Sequence, residues 1–161
     1  MRSRPWTLLA TASLLFAGSL TLQQCGSTAG GANGEATYKA VATVDQVMDA
    51  IVIPNAQAIW DAVVFTNGEL VQSPKTDDDW YLLQMNAYAV AEAGNLLMMA
   101  PRAKDDGDWM TFSAAMTEKS VAVVRAAEAK DVQRLLTAGG DVYTVCTDCH
   151  RKYIMGATEE F

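Results

Sequence analysis

Asp131-Val132-Gln133-Arg134-Leu135-Leu136, followed by Val142-Tyr143-Thr144-Val145-Cys146-Thr147-Asp148-Cys149-His150-Arg151-Lys152-Tyr153, spells a capped helix with reactive side chains at its far end. Asp131 is the expected cap, and Leu135, Leu136, Val142, Tyr143 and Tyr153 are its large apolar positions. At i, i+3 and i+4, Cys146, Cys149 and His150 share one helix face, so two thiols and an imidazole reach the same ligand. A Cys-x-x-Cys-His run with these properties is expected to hold one covalent haem c. The thiols add across its vinyl groups and the imidazole binds its iron. His150 is the only histidine in the chain.

Three other chemistries use the same spacing. A zinc site needs a fourth protein ligand, and the one remaining cysteine, Cys25, is far away near the N-terminus. A thioredoxin-like pair belongs at the start of a helix that follows a strand, whereas this pair follows a long helical pattern. A structural disulfide across an i,i+3 loop would remove little chain entropy. Haem attachment fits the run best.

Upstream lie three more helical patterns. Over residues 41–65, Val41, Val44, Met48, Ile51, Val52, Ile59, Trp60 and Val63 fall at helical steps, with a kink or short break expected at Pro54. Asn67-Gly68 and Ser73-Pro74 mark a loop. Thr76 caps a second helix whose first turn is acidic, Asp77-Asp78-Asp79, and which runs to about Met99 before Pro101. Lys104-Asp105-Asp106-Gly107-Asp108 is a turn and a new cap, leading a third helix from Trp109 to about Ala127. No segment reads as a strand. Gly139-Gly140 costs about 1 kcal/mol per glycine relative to alanine, which implies close approach of another helix or of the haem edge. The expected fold is all-α, an antiparallel up-down-up-down four-helix bundle with the haem on its last helix. Trp60, Trp80 and Trp109 are expected to fill core and helix-end contacts, as are Met85, Met98, Met99, Met110 and Met116.

The N-terminus reads as an export leader, residues 1–24, with Arg2 and Arg4 ahead of an apolar run from Leu8 to Leu22. Residues 25–40 read as a Gly-rich tether and 41–161 as the haem domain. Cys25 has two readings. It resembles the lipidated first residue of a bacterial lipoprotein, although Gln23-Gln24 stand where small residues are usual; or cleavage after Ala29 removes it. Losing the two leader arginines from 12 basic residues leaves 10 against 19 acidic, a net charge of −9. Such a surface excludes nucleic acid as a partner and suits a basic redox protein. The expected location is the periplasm, with contact to a membrane only through a lipid on Cys25.

A haem motif near the end of the fourth helix, after three amphipathic helices, resembles the cytochrome c prime superfamily, including its low-spin members. The resemblance covers about residues 41–153. It implies Cys146 and Cys149 as the thioether pair and His150 as proximal ligand. It also implies Met48, in Val44-Asp45-Gln46-Val47-Met48, as the distal ligand from the first helix, and a homodimer through the first two helices. The Arg-Gln pair common near that place is here Asp45-Gln46, so no propionate contact is carried over to it.

The sixth ligand separates two functions. With Met48 bound, both iron states stay six-coordinate and the chain is an electron carrier, not an enzyme. With that position open, the site binds nitric oxide or carbon monoxide. Peroxidase-like chemistry expects a distal acid or base, and the single histidine is already committed. Arg151 and Lys152 carry a weaker expectation, of meeting a propionate or a partner.

Overall fold

The first helix begins at Thr43, whose hydroxyl accepts the Gln46 amide at 3.2 Å while the Gln46 side-chain oxygen accepts the Thr43 amide at 3.0 Å. In the computed structural model, which describes residues 38–155, this reciprocal cap starts α1 (Val44–Val47). The chain continues without a break through a π-helical segment, Met48–Val52, into α2 (Ile53–Trp60). Pro54 explains the wide turn. Proline has no amide proton and its ring crowds the carbonyl one turn back. Widening lets the Ile53 amide reach the Met48 carbonyl five residues earlier. The Asn55 side-chain amide donates to the Ile51 carbonyl at 2.6 Å. The kink or break expected at Pro54 is thus a widened turn.

The helix stops at Trp60, short of the expected residue 65, because the next residues form a hairpin. Strands β1 (Val64–Thr66) and β2 (Glu69–Gln72) pair antiparallel, with Phe65 opposite Leu70 and Thr66 opposite Glu69. This corrects the expectation of no strand. Asn67 and Gly68 sit at φ 52° and 84°, the left-handed pair that a two-residue hairpin turn requires. Every residue of β2 is exposed, so no inside-outside alternation announced it.

The second expected helix is α3 (Asp77–Met98). Thr76 and Asp79 form another reciprocal cap, with Asp79 accepting the Thr76 and Lys75 amides at 2.8 and 2.9 Å. The amide of Lys75, then that of Thr76, hold the Asp79 carboxyl below the usual carboxylate range. Helix α4 (Asp108–Glu128) is started from upstream, by Asp105 accepting the Gly107 and Trp109 amides at 2.8 and 3.1 Å. Helix α5 (Val132–His150) has the expected Asp131 cap, accepting the Arg134 amide at 3.0 Å, and runs directly into a second π-helical segment, Arg151–Met155.

The described chain is therefore mostly helical, with one small hairpin. Helix α3 packs on α4, α4 on α5, and α2 on both α3 and α5. At the α3–α4 crossing a Cβ on Gly94 would come 2.2 Å from Thr117 Oγ1 and 2.6 Å from the Ser113 carbonyl oxygen. The Thr117 hydroxyl uses that proximity to donate to the Ala91 carbonyl at 2.9 Å. Gly139 has the packing reason expected of it: Trp60 Nε1 donates to its carbonyl at 3.0 Å, and an added Cβ would touch Ile59 at 3.4 Å. Gly140 faces open space. Trp80 and Trp109 are buried in the core, as expected. Among the described residues no helix is long and apolar enough to cross a membrane. The leader and Cys25 lie outside the described residues.

Candidate functional site

The last turns of α5 bring Cys146, Cys149 and His150 together on one wall of an apolar cleft of about 560 Å³, counting its open mouth. The first helix contributes Met48, Val52, Ile53, Ala56 and Trp60 to it. Leu97 comes from the end of α3, and Phe112, Ser113 and Met116 from α4. A second cleft, about 540 Å³, shares Met48, Cys149 and His150 with the first and adds Val44, Asp45, Lys104, Trp109, Tyr153 and Ile154. The two form a trough with an apolar end and a polar end. Met48 and His150, distant in sequence, line both parts of it.

Both cysteines are free thiols, each half-buried. Burial, and then the neighbouring Cys149, push the Cys146 thiol up to about 11, and burial raises Cys149 as well. Their place at the C-terminal end of α5 works in the same direction, since the negative end of a helix dipole disfavours a thiolate. A disulfide-exchange pair needs the opposite environment. Nor do these groups form a zinc site: no grouping of three or more His, Cys, Asp or Glu placed to hold a metal ion occurs among the described residues. Two protonated thiols against an apolar wall, beside one imidazole, fit a flat apolar cofactor with an iron at its centre. Haem is such a group.

Beyond His150 the chain is tied down. The Tyr153 hydroxyl donates to Asp105, and its ring stands edge-on to Trp109 and Phe112, centroids 5.1 and 6.5 Å away. Desolvation, and then the Asp105 carboxylate, push the Tyr153 hydroxyl up to about 12. The hydrogen bond from Tyr153 chiefly keeps Asp105 below the usual carboxylate range. Lys152 pairs with Asp108, and Arg151 pairs with Asp148 at 2.6 Å. Both cations singled out in the sequence are thus engaged in ion pairs at the helix end.

Cys146, Cys149, His150 and Met48, singled out in the sequence, all line the first cleft, whereas the rest of its wall was not singled out. Met116 was assigned to general packing, yet it and Phe112 line the cleft, and their i,i+4 spacing on α4 was the available signal. Arg102 was also missed. It is buried, donating to the Leu96 and Ala42 carbonyls at 2.6 and 3.2 Å and to Met99 Sδ at 3.6 Å. It ties the entry to the first helix to the α3–α4 connection. No protein-family model, curated protein or solved structure matches the chain.

Proposed function

We propose that this chain is a monohaem c-type cytochrome that carries electrons in the bacterial cell envelope, and that its helices form an antiparallel up-down-up-down four-helix bundle around the haem. The observation that carries this reading is the convergence of Cys146, Cys149, His150 and Met48 on one apolar cleft from opposite ends of the domain sequence. Cys146 and Cys149 would hold the haem covalently, each thiol adding across a vinyl group with sulfur to one carbon and hydrogen to the other, so attachment would need no oxidant. His150 and Met48, which line both clefts, would supply a nitrogen and a thioether donor to its iron. When bound, the haem supplies a one-electron iron couple. Val52, Ala56, Phe112 and Met116 would exclude water from it, and a thioether donor from Met48 would favour the ferrous state. The reading assigns the trough electron transfer and not acid–base catalysis, since its one histidine would be held by the iron. The acidic surface favours a basic redox partner.

The test is expression in a host with haem-attachment machinery, followed by absorption spectra of both oxidation states with and without carbon monoxide. The expected protein is low-spin, indifferent to carbon monoxide, and keeps its haem through acid–acetone extraction. The double variant Cys146→Ala, Cys149→Ala loses all haem that survives extraction. Wild type without covalent haem overturns the reading. A high-spin, carbon-monoxide-binding wild type makes the chain a gas-binding haem protein instead.

A further inference from the structure

The trough is chemically lopsided. Its first cleft, with Cys146, has Ser113 as its one hydroxyl and no charged side chain apart from the titratable motif residues, whereas its second holds Asp45 and Lys104. A haem has the matching asymmetry, with two vinyl groups on one edge and two carboxylates on the opposite edge. Cys146 lines the first cleft only, while Cys149 and His150 line both, so the thioether edge belongs at the apolar end. The carboxylate edge would then face the second cleft, where burying charge costs least.

Most charged groups at that end already have partners. Asp105 accepts the Tyr153 hydroxyl and the Gly107 and Trp109 amides, and Asp108 is paired with Lys152. Lys104 is the only lysine or arginine lining either cleft, and it makes no hydrogen bond or ion pair within the described residues. We propose that Lys104 is the cation that receives a haem carboxylate, with Asp45 across the same opening as its electrostatic counterweight. This rests on the haem reading above and adds the cofactor's orientation and its charge partner. Lys104 comes from the α3–α4 connection and Asp45 from α1, so the two side chains bias one carboxylate from separate elements.

The test is the pH dependence of the midpoint potential of covalently loaded protein, with absorption and circular dichroism spectra as controls on ligation and folding. A carboxylate at the haem edge gives an inflection where it titrates. Losing a cation makes that carboxylate harder to ionise, so Lys104→Gln moves the inflection up by a few tenths of a unit. Asp45→Asn moves it down, because a repelling anion is gone. Opposite shifts with unchanged ligation support the proposal. An unmoved inflection in Lys104→Gln, or shifts of the same sign in both variants, overturns it. So does a Lys104→Gln protein that turns high-spin, since Lys104 would then be an iron ligand. Wild type lacking covalent haem removes the cofactor reading beneath it, and this is seen before any variant is made.

Discussion

Met48 shows how a single side chain acquires its role from distant parts of the chain. It opens the π-helical segment, and its carbonyl accepts the amide five residues on. Replacing it with alanine should convert a low-spin spectrum to high-spin, abolish the methionine-to-iron charge-transfer band in the red, and admit carbon monoxide quickly. Loss of that band only on changing another methionine, such as Met116, would move the ligand and keep the carrier. Cys146 makes a different prediction, for the haem-free chain. Folding raises its thiol from 9.0 to about 11. The proton is therefore held more tightly folded than unfolded, and the resulting stability is full below pH 9 and lost as pH rises towards 11. Denaturant melts of the apo-protein should weaken across that window by about 2 to 3 kcal/mol, and Cys146→Ala should remove that part of the fall. In loaded protein the thioethers have no proton to lose, so this loss is absent. Cys146, Cys149 and His150 were legible in the sequence because their chemistry is fixed by contiguous spacing. The places of Phe112 and Lys104 in the clefts were not, because a cleft wall is defined by which elements meet.

At the scale of elements, the caps were the most legible feature. Thr76 and Asp131 start helices where their side chains predicted, because a capping bond is made within three residues. The hairpin was hidden because all of β2 and most of β1 are exposed, leaving the Asn67-Gly68 dipeptide as its sign. Helix pairing gives a prediction in two parts. A methyl group at Gly94 meets the Ser113 backbone oxygen, which cannot swing aside, as well as the Thr117 hydroxyl. Gly94→Ala should therefore cost about 1 to 3 kcal/mol in thermal or urea melts. At Gly140 the same methyl group meets nothing within 4 Å. Gly140→Ala should stabilise α5 by about 0.5 to 1 kcal/mol through helix propensity alone. Equal effects at the two sites would mean that α3 and α4 do not approach as closely as these distances require.

For the whole molecule, the excess of acidic over basic residues suits a basic partner, and on the export reading of residues 1–24 the two would meet outside the cytoplasm. Whether the chain roams or is tethered turns on Cys25. Mass spectrometry of the mature N-terminus should find an acylated peptide beginning at Cys25, since two or more acyl chains suffice for lasting attachment. An unmodified start near Gly30 would make it a free periplasmic carrier. The walls of the trough also have an order in time. Met48 and Val52 are synthesised first, then Phe112 and Met116, and last the thiols, about 100 residues after Met48. At a synthesis rate of about 5 to 20 residues per second, that interval lasts about 5 to 20 seconds. Through that interval the apolar side chains of the earlier helices lack the wall that α5 provides, and would be an exposed apolar surface if those helices formed first.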